Sequence, residues 1–79
     1  MGEYNKPINK VCWENFLTYH KCVFEKNDGS HHKWKCPNCT RSIIFWGHKK
    51  EVPRFHILTC LKTMGKTNKE FNDWVKANC

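Results

Sequence analysis

The first regular pattern of apolar positions along the chain is helical. In residues 11–19, Trp13, Phe16 and Leu17 recur at offsets i, i+3 and i+4, which places their side chains on one face of a helix. Residues 1–10 are polar by comparison, and we expect them to form a flexible arm. The pattern therefore predicts an arm that is followed by a short amphipathic helix.

Two further helices are predicted in the second half of the chain. Pro53 suits the first turn of a helix because the N–H that proline lacks has no partner there, and Gly65 is typical of the residue that ends one. Thr67 and Glu70 form a Thr-x-x-Glu capping box, which predicts a separate capped helix within residues 65–79. One face of this last helix carries Phe71, Trp74 and Val75.

Between the first two helices the pattern is that of β-strands. Residues 22–26 and 32–36 flank Asn27-Asp28-Gly29-Ser30, and an Asp-Gly pair between two extended runs is typical of a hairpin. Residues 41–46 are β-branched and aromatic, which predicts a further strand that ends at Gly47. Seven large side chains from strands and helices are expected in the core: Trp34, Trp46, Trp74, Phe55, Ile57, Leu58 and Leu61.

The length and composition indicate one small domain. A chain of 79 residues buries only about 60% of the surface that it exposes when unfolded, so it often needs a crosslink. Hydrophobic residues at 39% and aromatic residues at 14% exclude a disordered tail. No apolar run approaches the roughly 20 residues of a membrane span, and the first residues lack a signal peptide. We therefore expect a soluble intracellular protein without a membrane partner.

The pattern most typical of a binding site is Cys36-x2-Cys39, followed after sixteen residues by His56-x3-Cys60. Two thiolates in a tight turn can hold one ion, and a His and a Cys at i, i+4 project from the same helix face. Two such pairs can complete a tetrahedron around zinc. We therefore expect one structural Zn²⁺ as cofactor, bound by Cys36, Cys39, His56 and Cys60, with no open position for a catalytic water.

Other roles for these residue types stay open at this point. Cys36 and Cys39 could be a redox pair, although the chain is too short for the βαβ fold that usually carries one. His48 could replace His56 or Cys60 as a ligand. The remaining cysteines could form a second metal site or stay free thiols: Cys12, Cys22 and Cys79.

The same residues carry a resemblance to a known family. Trp13 and Phe16 precede the run Lys35-Cys36-Pro37-Asn38-Cys39. His56 and Cys60 follow on a predicted helix. This arrangement resembles the BED-type zinc finger, a DNA-binding module of chromatin factors and transposase-derived proteins.

The resemblance implies a small zinc-stabilised α+β fold. Its centre would be a ββα zinc finger over residues 11–64, with an N-terminal extension that carries the aromatic pair and an additional C-terminal helix in residues 65–79. By position, the metal ligands of the family fall on Cys36, Cys39, His56 and Cys60. The resemblance also implies that Trp13 and Phe16 pack against the finger.

Charge favours a nucleic-acid partner. Fourteen Lys and Arg residues stand against seven Asp and Glu, a net charge of +7, which favours binding to phosphates. We expect a nuclear module that binds double-stranded DNA by phosphate contacts and by docking of the second helix in the major groove. Arg54 is the best candidate to read a base edge because its planar fork matches guanine. The other expected contacts are Lys49, Lys50, Arg41 and Lys35.

Two other kinds of partner remain possible on the sequence alone. A protein-interaction zinc finger of the ubiquitin-binding type shares the Cys-x2-Cys and His-x3-Cys pairs. RNA or single-stranded DNA is the other alternative, because exposed aromatic side chains stack on unpaired bases. An enzyme with a small-molecule substrate is not expected, since the seven carboxylates form no catalytic motif and no phosphate-binding glycine loop is present.

Overall fold

The computed structural model describes residues 6–79, which form five strands and three helices. In chain order the elements are β1 (Ile8–Asn9), α1 (Lys10–Tyr19), β2 (Val23–Asp28), β3 (His31–Lys35), β4 (Ile43–Trp46), β5 (Glu51–Val52), α2 (Arg54–Met64) and α3 (Asn68–Asn78). The predicted helices, hairpin and further strand are confirmed. Residues 1–5 of the predicted arm lie outside the described part of the chain.

The strands form two small sheets. β2, β3 and β4 make an antiparallel sheet in that order, and β1 pairs with β5 in a second, two-stranded sheet. Trp34 in the central strand lies opposite Phe24 on one side and Ile43 on the other, so these three side chains share a face. Gly29, in the turn of the hairpin, has φ +64, a left-handed conformation that glycine adopts without steric cost.

The core lies between the three-stranded sheet and the helices. Trp13 of α1 is fully buried and meets Phe45 of β4 and Phe71 of α3 edge to face, with ring centroids 6.0 Å and 5.3 Å away. Phe16 also contacts Phe71 at 4.9 Å. The aromatic pair predicted to pack on a finger is therefore the centre of the core.

Helix α2 lies along the free edge of β4. The Trp46 N–H donates to Nδ1 of His56 at 3.2 Å, and the Cys60 thiol donates to the Ile44 carbonyl at 3.5 Å. Residue numbers rise along β4 as they fall along α2, so strand and helix run antiparallel. The backbone N–H of Trp46 and the carbonyl of Ile44, which would otherwise face water at the edge of the sheet, are hydrogen-bonded to the His56 and Cys60 side chains.

Two disulfides crosslink the molecule. Cys12 on α1 is bonded to Cys79 after α3, and Cys22 before β2 is bonded to Cys36 after β3. They close loops of 67 and 14 residues, respectively. The prediction of a zinc-stabilised ββα finger is therefore wrong. The fold is a small α+β unit whose crosslinks are covalent, and its centre is a helix packed on a three-stranded sheet.

The predicted capping box at the start of α3 is present. The Thr67 side chain accepts from the Glu70 N–H at 3.0 Å, and the Glu70 carboxylate accepts from the Thr67 N–H at 2.9 Å. Hydrogen bonding to the carboxylate, first from the Thr67 backbone N–H and then from the Thr67 side chain, holds the pKa of Glu70 below its ordinary value. Among the helices in residues 6–79, none combines the length and the apolar character needed to cross a bilayer.

Candidate nucleic-acid interface

The four residues predicted to bind zinc do not form a metal site. Cys36 is bonded to Cys22, so it has no thiolate to offer a metal ion. Within residues 6–79, no group of three His, Cys, Asp or Glu side chains is placed to hold a metal. The prediction of a zinc cofactor is therefore wrong. The zinc-finger and metal-binding assignments that depended on it are wrong as well.

His56 and Cys60 do project from one face of α2, but this face is turned to the edge of β4. Burial raises the pKa of the Cys60 thiol to about 12, so Cys60 stays protonated at neutral pH and donates to the Ile44 carbonyl. Burial, and then the charge of His31, lower the pKa of His56. A neutral imidazole is the form that can accept the hydrogen bond from Trp46.

The other cysteine and histidine candidates are dispersed. Cys39 is a free thiol that donates to the Thr63 carbonyl at 3.5 Å, beside the end of α2. His48 is exposed, with Nδ1 3.4 Å from the Ser30 carbonyl oxygen. The suggested second metal site from Cys12, Cys22 and Cys79 is absent, because all three form disulfides.

Arg54, the expected reader of a base edge, is turned into the fold. Its side chain is only 6% exposed, and its guanidinium donates to the Lys6 carbonyl and the Asn68 amide oxygen, each at 2.8 Å. A third hydrogen bond reaches Asn72 at 3.3 Å, and the charge lies over the Phe71 ring at 5.5 Å. The guanidinium therefore stabilises the contact between α2 and α3, and its donors are engaged by these acceptors and not free to read a base edge.

An exposed surface follows the line where β4 meets α2. On β4, Ile44 is 47% exposed and shares an outward face with Trp46, two positions on. On α2, Phe55 is 62% exposed, and its ring lies 6.3 Å from that of Trp46 at an interplanar angle of 81°. We name this the seam surface and define it by Ile44, Trp46 and Phe55 with three flanking cations, Arg41, Lys49 and Lys62.

The cations lie at the two ends of the seam surface. Lys49 Nζ lies 5.7 Å from the centroid of Trp46, a cation–π distance. At the other end, Arg41 and Lys62 line one groove of about 430 Å³, together with Thr40, Thr59 and Thr63. Thr59 lies one helical turn from Phe55, so the groove continues the exposed side of α2 on which Phe55 lies.

The charge of the seam surface is not neutralised by neighbouring acids. Within residues 6–79, no carboxylate lies within ion-pair distance of Arg41, Lys49 or Lys62. Lys33, which lies opposite Ile44 in the sheet, adds a further cation beside the seam, and Asp28 shares its pocket. The charged side chains that define the seam surface are therefore all cationic, and Asp28 is an acid beside it.

The remaining predicted contacts lie beside the seam surface. Lys35 is exposed on β3, close to Cys36. Lys50 lies in the loop before β5, where it lines a groove of about 690 Å³ with Lys49, Pro53 and four other residues. Of the five side chains predicted to contact nucleic acid, four are exposed and one, Arg54, is buried.

Sequence reasoning missed Phe55, Trp46 and Lys62 as surface residues. Phe55 and Trp46 were expected in the core, whereas Phe55 is exposed and Trp46 is only half-buried. The sequence did contain a signal that Phe55 is exposed. Two positions along a helix correspond to a rotation of about 200°, so Phe55 lies on the side opposite the buried Ile57. Leu58, also expected in the core, is 40% exposed. Ile57, Leu61 and Trp34 are buried as predicted.

Comparisons with protein-family models, with curated proteins and with solved structures found no match to this chain. The BED-type resemblance therefore stays a prediction from the sequence.

Proposed function

We propose that the chain binds nucleic acid through phosphate contacts made by the seam surface, with double-stranded DNA as the partner expected from the sequence. The observation that supports the proposal is the placement of Arg41, Lys62 and Lys49 around an exposed strip, where no carboxylate of residues 6–79 forms an ion pair with them. A polyanion gains affinity there by release of its counterions. The net charge of +7 adds long-range attraction.

The geometry favours phosphate contact over reading of bases in a groove. A recognition helix presents polar side chains near its N-terminus to the base edges. Here Arg54, the first residue of α2, is buried, and the first two exposed residues that follow it are the apolar Phe55 and Leu58. Binding that depends mainly on phosphates is tolerant of sequence. We therefore expect similar affinity for duplexes of different sequence.

A salt titration tests the proposal. Affinity for a labelled duplex should fall steeply as salt rises, with a slope of log affinity against log salt near −0.9 for each phosphate neutralised. Arg41→Ala and Lys62→Ala should each reduce the slope by about one. Lys69→Ala is the matched control, because it removes the same charge from an exposed position on α3. Binding that does not change with salt, or equal effects of all three variants, would contradict the proposal.

A nuclear location, expected from the sequence, would follow from duplex binding in the cell. The two disulfides, in contrast, are typical of oxidising compartments. The proposal therefore concerns the binding activity, and imaging of the tagged chain tests the location separately.

A further inference from the structure

We propose that Phe55 and Trp46 form a platform on which an unpaired nucleobase stacks, so that the seam surface prefers single-stranded nucleic acid to a duplex. This inference rests on the phosphate-driven binding proposed above, and it replaces the duplex expected from the sequence by a single strand as the preferred partner. It also assigns a role to Phe55, whose exposure the fold does not require.

Phe55 is the most exposed phenylalanine among the large apolar residues of the described chain. At 62% exposure it lies outside the core, and its ring neighbours are His56 at 4.6 Å and Trp46 at 6.3 Å. The neighbouring positions on the core side, Ile57 and Leu61, are fully buried. With Ile44 and Trp46, the exposed ring of Phe55 belongs to a contiguous apolar patch with cations at its ends, and such patches mark binding surfaces whereas single apolar side chains do not.

The Trp46 ring packs on helix α2. Trp46 packs against the imidazole of His56 at 4.6 Å, and its backbone N–H is bonded to the same imidazole. The Phe55 ring is nearly perpendicular to that of Trp46, so the pair offers one ring face and one ring edge to a flat ligand. Rings that are fixed before binding lose little conformational entropy when a base stacks on them.

The surrounding charge identifies the ligand. An apolar platform alone could fit many partners, but Lys49 lies at one end of this one and Arg41 with Lys62 at the other. The ligand must therefore combine flat aromatic groups with repeated negative charge, which is the chemistry of a nucleic-acid strand. In a duplex the base faces are already stacked on one another, whereas a single strand can turn a base onto a side chain.

Binding of a labelled 20-nucleotide single strand tests the inference, with a duplex of the same length and an abasic single strand as comparison ligands. Phe55→Ala should weaken binding of the base-containing single strand roughly 5- to 150-fold, the range for loss of one stacked base. It should leave the salt slope unchanged, because the phosphate contacts remain, and it should weaken binding of the duplex and of the abasic strand much less than binding of the base-containing strand.

Phe24→Ala is the matched control. Phe24 is also a half-exposed phenylalanine, at 50%, but it contacts Trp34 on the other face of the sheet. Circular dichroism and thermal melting should establish that both variants are folded. Quenching of tryptophan fluorescence by the single strand, lost in Trp46→Leu but kept in Phe24→Ala, provides a second readout.

The possible results separate the two proposals. Equal effects of Phe55→Ala and Phe24→Ala, or abasic binding as tight as that of the base-containing strand, would overturn the stacking inference and leave phosphate-driven binding intact. Preference for the duplex over the single strand would also overturn it. Salt-independent binding, or none to any of the three ligands, would overturn both. Binding of an acidic peptide in preference to all three would identify the surface as a protein-interaction site and overturn both as well.

Discussion

The backbone N–H of Trp46 donates to Nδ1 of His56 at 3.2 Å, and this bond joins the edge of β4 to helix α2. An imidazole that accepts at Nδ1 is neutral and carries its proton on Nε2. An imidazolium carries protons on both nitrogens, so protonation of His56 removes the acceptor and leaves the Trp46 N–H without its partner. The junction that supports the seam surface therefore depends on the protonation state of one histidine.

Stability should fall when the pH drops below about 6.5, the ordinary pKa of histidine in the unfolded chain. Burial and the charge of His31 lower the pKa of His56 in the folded state. Burial also lowers that of His20, with a contribution from Lys66. The unfolded chain therefore binds more protons as the pH falls, so stability is complete above pH 6.5 and is lost below it.

Urea unfolding at pH 7.5 and pH 5.5 measures this effect. His56→Gln should reduce the difference between the two pH values, because glutamine does not titrate and its amide oxygen can still accept a hydrogen bond. A chain that is equally stable at both pH values would contradict the prediction.

Arg54→Ala should destabilise the fold by roughly 2–4 kcal/mol, because it removes a buried charged donor and leaves three oxygen acceptors without it. Arg41→Ala is the matched comparison, since Arg41 is exposed and its loss should change stability by less than about 0.5 kcal/mol. The two variants should also differ in binding, with Arg41→Ala the one that reduces the salt slope. Denaturant unfolding and the salt titration together measure both effects.

Reduction, and not chelation, should destabilise the chain. The double variant Cys12→Ala/Cys79→Ala opens a loop of 67 residues and should cost about 4 kcal/mol. Cys22→Ala/Cys36→Ala opens a loop of 14 residues and should cost about 3 kcal/mol. The melting temperature should be measured with a thiol reductant, with a strong chelator and with neither. It should fall in the reductant only. A lower melting temperature in chelator alone would restore the metal-site interpretation.

Gly47→Ala should destabilise the fold by roughly 1–3 kcal/mol, the range for an overfilled interior. Gly47 is buried after β4, and a Cβ at this position would overlap the imidazole of His32. His32→Ala should relieve the overlap, so the double variant should be more stable than the sum of the two single effects predicts. Additive effects in a double-mutant cycle would show that the two positions are not in contact.

The local elements followed from the sequence because their signals are local. The spacing of Trp13, Phe16 and Leu17 identified the buried face of α1, and the capping box at Thr67 marked the start of α3. The Asp-Gly pair predicted the hairpin, and the β-branched run predicted β4; each of these signals also extends over only a few residues. Signals of this kind depend on backbone geometry, which a short stretch of chain determines by itself.

The crosslinks did not follow from the sequence because they depend on which distant segments the fold brings together. Cys-x2-Cys suggested a metal site, but Cys36 lies next to Cys22 once β2 and β3 pair, and the two form a disulfide. Cys12 and Cys79 are separated by 67 residues, and only packing of α1 against α3 brings them together. Connectivity among six cysteines cannot be deduced from spacing alone.

The candidate site was predicted in part. Positive charge near Arg41, Lys49 and Lys50 was recognised, because exposed lysine and arginine are the usual state of these residues. The prediction that Arg54 is exposed and reads a base edge was wrong. A buried arginine requires acceptors from other segments, and these are Lys6, Asn68 and Asn72. Those acceptors are contributed by the N-terminal segment and by α3, and no pattern near residue 54 indicates them.

The packing of α2 along β4 also determines how copies of this protein behave beside one another. With that side of the three-stranded sheet covered, β2 is its remaining edge in the part of the chain that the structure describes. A bulge between Phe24 and Lys26 bends this edge, and Glu25, Lys26 and Asp28 line it with charge. Both features oppose strand addition from a neighbouring molecule. Concentrated solutions should therefore resist intermolecular β-pairing although the sheet has only three strands.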